Sequence, residues 1–123
     1  MKKGVRTWLT VAALVFLVAM AGAIYLASKP SALAPLAQCL KEKGATFYGA
    51  FWCPHCQATK RMFGNAAKDL PYVECSTPDG KGQLQVCKDK EVTNYPTWIF
   101  ADGTRQVGEL TGAQLAAASG CTL

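Results

Sequence analysis

No charged residue occurs between Trp8 and Ala27, a run of 20 residues. No second Cys-x-x-Cys accompanies the one at residues 53–56. A structural four-cysteine zinc site takes two such close pairs, so zinc is the weaker reading of that motif. No internal repeat and no long low-complexity region occurs, which excludes a solenoid or repeat array. Charge imbalance is also scarce beyond the N-terminus. Lys2, Lys3 and Arg6 supply three of the 13 basic residues, leaving 10 basic against 8 acidic. The bulk of the chain is near +2 and gives no case for nucleic acid.

The uncharged run has the length needed to span a hydrocarbon core of ~30 Å. Basic residues before it predict a cytoplasmic N-terminus, with the rest of the chain sent across. Trp8 and Tyr25 stand near its two ends, as interfacial anchors do. The alternative is a cleaved signal peptide, since Ala19-Met20-Ala21 and Ala21-Gly22-Ala23 resemble cleavage sites. The apolar run exceeds the ~7–15 residues of a usual signal core, which favours a retained anchor. Either reading exports residues 29–123. The expected organisation is an anchor at residues 1–28, a linker at 29–37 and a single domain at 38–123.

Six cysteines lie beyond the apolar run: Cys39, Cys53, Cys56, Cys75, Cys87 and Cys121. That number fits an oxidising compartment and permits three disulfides. A small domain gains stability from such cross-links. Cys75 and Cys87 flank Thr77-Pro78-Asp79-Gly80, which has turn chemistry. A bond between them closes a loop of about 13 residues and contributes on the order of 3 kcal/mol. The rival role for this pair is a second redox relay. Cys39 and Cys121 stand near the two ends of the domain, and a bond there would tie them together.

Pro35 suits the first turn of a helix running to about Lys43, which Gly44 ends. Ala45–Phe51 reads as a buried strand. Pro54 to about Leu70 reads as a helix with Met62, Phe63, Ala66, Ala67 and Leu70 on one face. Tyr72–Cys75 is a short strand, and Gln83–Glu91 a short helix. Thr97–Ala101 and Thr104–Leu110 are strands joined by Asp102-Gly103, a hairpin signal. Gly112–Ser119 is a last helix. A βαβ unit followed by a hairpin and a helix describes an α/β thioredoxin-like fold: a four-stranded mixed sheet flanked by helices, here preceded by one transmembrane helix.

The chemistry concentrates at Phe51-Trp52-Cys53-Pro54-His55-Cys56. Disulfide exchange needs a thiolate, and a free cysteine is mostly thiol at neutral pH. Cys53 is placed at a helix N-terminus, where backbone N–H groups and the helix dipole favour negative charge. A protonated His55 adds positive charge beside it. Pro54 fits the first helical turn. A stabilised thiolate makes the disulfide form an oxidant. Cys53 is the expected exposed nucleophile and Cys56, one turn on, the buried resolving thiol. Asn94-Tyr95-Pro96-Thr97 predicts a cis proline that sets the Tyr95 backbone beside the Cys53 sulfur. Trp52, Tyr95 and Pro96 are the substrate-binding candidates.

Phe47 to Cys56, Pro71-Tyr72-Val73-Glu74-Cys75, Cys87 and Tyr95-Pro96-Thr97-Trp98 together resemble the thioredoxin-like domain of bacterial vitamin K epoxide reductase homologues. The resemblance covers roughly residues 38–120. It implies that Cys53 and Cys56 are the active pair and Cys75 and Cys87 an additional pair. It also implies electron flow from substrate proteins to a membrane reductase and on to a quinone. Only one apolar segment is seen, so such a partner, of this type or DsbB-like, is expected in trans. No cofactor of the chain's own is expected, and no metal. Cys39 and Cys121 fall outside the family pattern. Thioredoxin and DsbA place a buried carboxylate six residues before the first cysteine. Phe47 stands there in this chain.

The leading expectation is a membrane-anchored dithiol oxidase acting on exported proteins by mixed disulfides, outside the inner membrane. A disulfide reductase fed by a membrane electron donor is the second, and a non-enzymatic zinc-binding exported module the third.

Overall fold

The computed structural model describes residues 2–123. Met1 and the Lys2 side chain lie outside the described residues. The chain divides into two units, residues 1–30 and 31–123.

The first unit is a helix, α1, Lys2–Ser28. Its segment Lys3–Ser28 is 26 residues long and apolar enough to cross a membrane. At a rise of 1.5 Å per residue that segment spans about 39 Å. Its hydroxyls bond back to the helix: Thr7 to the Lys3 carbonyl at 2.9 Å and Thr10 to the Thr7 carbonyl at 2.8 Å. Polar groups satisfied within the helix are what an apolar surrounding requires.

The second unit holds four strands and four further helices. They are α2 Ala34–Glu42, β1 Thr46–Gly49, α3 Pro54–Phe63, β2 Tyr72–Glu74, α4 Gln85–Lys88, β3 Thr97–Ile99, β4 Arg105–Val107 and α5 Gly112–Ser119. The sheet order is β2-β1-β3-β4. β1 pairs parallel with β2 and antiparallel with β3, and β3 pairs antiparallel with β4. This is the mixed sheet and the element order expected from the sequence.

α2 starts within the 29–37 stretch, with Leu36 and Ala37 already buried. Gly44, at φ 74°, ends it in the left-handed conformation that glycine adopts without cost. The expected helix over 54–70 is broken. Gly64 at φ 56° stops the α-helix, and Gly64–Asp69 continues as a 3₁₀ turn. Met62, still within α3, is 36% exposed, whereas Phe63, Ala66 and Leu70 are buried as expected. α4 is shorter than expected because Leu84 is extended and Glu91 takes a positive φ of 53°. α5 matches its expected range, and Thr111 with Gln114 caps it in both directions.

The main core lies between α2, α5, α3 and one face of the sheet, around Trp98, Phe47, Phe63, Leu36, Leu40 and Leu115. A smaller cluster of Tyr48, Cys75, Cys87 and Val92 fills the other face. Cys39 is bonded to Cys121 and Cys75 to Cys87. The first bond ties α2 to the end of α5. The second ties the end of β2 to α4. Neither Cys75 nor Cys87 has exposed surface, which suits a cross-link better than a relay that must meet other thiols.

Candidate active site

β1 ends at Gly49, and the chain turns through Ala50, Phe51 and Trp52 into α3. The turn closes with the Cys53 N–H donating to the Ala50 carbonyl at 3.0 Å. Cys53 is the N-terminal cap of α3, with extended backbone at φ −76° and ψ 120°, and Pro54 is the first helical residue. The missing N–H of Pro54 costs nothing there. Cys53 and Cys56 carry free thiols.

The structure places Cys53 differently from the exposed nucleophile expected. It is only 4% exposed, and Cys56 is 0% exposed. The cause is the segment before β3. The Tyr95–Pro96 bond is cis. The Tyr95 carbonyl accepts from the Cys53 thiol at 3.7 Å. Pro96 is fully buried, and the Trp52 ring meets the Tyr95 ring edge-on at 5.9 Å. Trp52 is itself 52% exposed and fixed by its indole N–H donating to Ser76 Oγ at 2.9 Å. Trp52, Tyr95 and Pro96 are thus gathered around Cys53.

Burial pushes the Cys56 thiol up to about 12, because a thiolate there would lose its hydration. The hydrogen bond with Cys53 adds to the rise, while a backbone hydrogen bond at Ala50 and the charge of Lys60 oppose it.

His55 has a carboxylate partner that its place in the motif does not announce. Its Nδ1 lies 2.6 Å from Glu109 Oε1, in the segment after β4. His55, Asn94, Tyr95, Val107, Gly108 and Glu109 line an open groove of about 520 Å³. Glu109 is not legible as a site residue in the sequence, because nothing in its local pattern ties it to residue 55.

Glu74 is a second site residue that sequence reasoning misses. It accepts from the Phe51 N–H at 3.2 Å, the Ser76 N–H at 2.9 Å and the Tyr72 hydroxyl at 2.7 Å. A carboxylate on β2 therefore clamps the loop that carries Cys53. The visible signal is the i, i+2 spacing of Tyr72 and Glu74, which puts both on one face of the strand.

A family model described as Thioredoxin matches residues 40–119. The chain belongs to the thioredoxin family. It is 48% identical over 101 residues to the thiol-disulfide oxidoreductase LTO1 of Arabidopsis thaliana, across 78% of this chain and 26% of that protein. It is 32% identical over 66 residues to a thioredoxin domain-containing protein 5 homolog of Drosophila melanogaster, across 51% of this chain and 16% of that protein. With human glutaredoxin-3 it shares 27% identity over 66 residues, across 54% of this chain and 20% of that protein. The chain thus spans about a quarter or less of the length of these relatives.

Proposed function

We propose that this chain is a membrane-anchored thiol–disulfide oxidoreductase that acts outside the cytoplasm and oxidises dithiols of exported proteins. The observation that carries the reading is the placing of Cys53 at the start of α3, with Cys56 buried behind it and the Tyr95 carbonyl against its sulfur. The similarity to a protein named as a thiol-disulfide oxidoreductase supports it.

In the forward reaction a substrate thiolate attacks Cys53 Sγ of the Cys53–Cys56 disulfide. A substrate–Cys53 bond forms, and Cys56 leaves as thiolate and takes up a proton. The second substrate thiolate attacks the substrate sulfur of the mixed disulfide. The substrate disulfide forms and Cys53 leaves with the electron pair. Cys53 stands at the N-terminal cap of α3, the positive end of the helix dipole. Trp52, Tyr95 and Pro96 receive the substrate backbone. A quinone-linked membrane partner, of the vitamin K epoxide reductase type, takes the two electrons back, so the chain needs no cofactor of its own. α1 holds it beside that partner, with the N-terminus cytoplasmic.

One observation favours the reverse direction as a second reading. Glu109 offsets the charge of a protonated His55, and that charge is what would favour the reduced, oxidant-generating state. A disulfide reductase fed by a membrane donor would use the same residues.

Trapping tests the reading. In cells, Cys56→Ala should accumulate mixed disulfides through Cys53, identified by mass spectrometry and lost in Cys53→Ala/Cys56→Ala. A folded Cys56→Ala protein with no such adducts would refute thiol–disulfide exchange at this pair.

A further inference from the structure

Exchange at Cys53–Cys56 moves a proton on and off Cys56, yet Phe47 occupies the position where an acid is expected. Phe47 is fully given over to packing. Its ring stacks on Trp98 at 4.7 Å and meets Tyr72 edge-on at 5.1 Å. The neighbouring strand brings a tyrosine towards the pair, with a carboxylate bonded to its hydroxyl. The parallel register sets Phe47 beside Tyr72 and Gly49 beside Glu74.

Gly49 makes the approach possible. A Cβ at Gly49 would lie 2.8 Å from Tyr72 Cε2 and 2.9 Å from Cys56 Sγ. The tyrosine ring and the sulfur therefore crowd the same point, which only a residue without a side chain leaves open. The Tyr72 hydroxyl donates to Glu74 Oε2 at 2.7 Å. Lys60, four residues after Cys56 on α3, sets its Nζ 3.5 Å from the Tyr72 ring centroid. The titratable groups around Cys56 are thus Cys53, Lys60 from α3 and Tyr72 from β2, with Glu74 behind the Tyr72 hydroxyl. Phe47 and Gly49 of β1 and Trp98 of β3 bring no titratable group.

We propose that Glu74, acting through Tyr72, exchanges the proton of Cys56, in the role a carboxyl at residue 47 would otherwise fill. The inference rests on the thiol-exchange reading above. When Cys56 attacks a mixed disulfide at Cys53, its S–H proton passes to the Tyr72 oxygen, by contact or over one water, as the Tyr72 hydroxyl proton passes to the Glu74 carboxylate. The Cys53–Cys56 bond forms, the bond from Cys53 to the partner sulfur breaks, and the products are the disulfide, a departing thiolate that takes the electron pair, and a Glu74 carboxylic acid. The proton returns by the same path when Cys56 is the leaving group. Glu74 touches neither sulfur and is a positioning residue for this proton. A thiol raised as far as Cys56 is scarce as thiolate at neutral pH, so a built-in acceptor matters.

The test is the pH profile of the resolving step. The reduced full chain in detergent is mixed rapidly with oxidised glutathione. The release of the second glutathione by Cys56 is then followed from pH 5 to 9. Glu74→Gln keeps an oxygen acceptor for the Phe51 and Ser76 N–H groups but cannot take a proton. It should slow release about 100-fold at pH 7, the scale of general base catalysis. Its rate should climb about tenfold per pH unit throughout, having lost the plateau of the wild type. Tyr72→Phe keeps the ring under Lys60 and should show the same change of shape. If Glu74→Gln does not fold, Tyr72→Phe decides alone. A profile parallel to that of the wild type, at equal or uniformly reduced rate, overturns the proposal and leaves Glu74 as a loop clamp. A wild type that captures no glutathione at Cys53 overturns both this proposal and the exchange reading.

Discussion

His55 Nδ1 and Glu109 Oε1 lie 2.6 Å apart, so the histidine between the two cysteines is held by a carboxylate from beyond β4. When His55 carries a proton, Glu109 cancels part of the field that Cys53 would otherwise feel. Both side chains are well exposed, at 64% and 49%, so water and salt screen the pair.

Glu109→Gln should therefore raise the reduction potential of Cys53–Cys56, because the uncompensated imidazolium favours the reduced, thiolate-bearing form. For a surface pair the expected rise is at most about 20 mV at low salt. It should shrink with added salt, because both side chains are exposed. Equilibration with glutathione buffers measures it. An unchanged potential at low salt would show the pair to be electrostatically silent.

Cys56 predicts a pH dependence of stability in the reduced protein. Its folded value is raised from 9.0 to about 12 by burial. Above pH 9 the unfolded chain loses this proton while the folded chain keeps it. The unfolded state then binds fewer protons, so stability falls as pH rises from about 9 towards 12. The loss should approach about 1 kcal/mol per pH unit in that window and vanish below it. Comparing reduced wild type with reduced Cys56→Ala by urea denaturation isolates it. The gap between the two should narrow with pH above 9. A gap that stays constant would mean that Cys56 is not raised.

The bond between Cys39 and Cys121 closes a sequence separation of 82 residues. In the chain-entropy account, closing a loop of that length stabilises by about 4 kcal/mol. Cys39→Ala/Cys121→Ala should lower the Tm by about 15 °C or more for a domain of this size. Thiol exchange at 25 °C should persist, because the bond joins α2 to the end of α5 and neither element carries Cys53. Calorimetry and glutathione turnover check the two halves. An unchanged Tm would remove the bond from the account of stability.

The architecture is legible in the sequence because its signals are local. Period, turn residues and helix stops set the order of strands and helices, and Thr111 with Gln114 is a complete cap within four residues. The helix expected over 54–70 is too long, since Gly64 gives no warning that it takes a positive φ. Cys53, Cys56 and Tyr95-Pro96 are legible as motifs. Their burial is not, because it depends on the segment before β3 folding over the sulfur. Glu109 and Glu74 escape notice for the same reason. Each meets the motif only through pairing across the sheet, over sequence separations of 54 and 23 residues.

Whether Cys53–Cys56 takes electrons from substrate dithiols is tested most directly by its reduction potential. The full chain in detergent is equilibrated across glutathione ratios, quenched by alkylation and read by mass. A dithiol oxidase should give a value near the oxidising end of the family, between about −180 mV for protein disulfide isomerase and about −120 mV for DsbA. A value at or below about −270 mV, that of thioredoxin, would contradict the oxidase reading and make the pair a reductant.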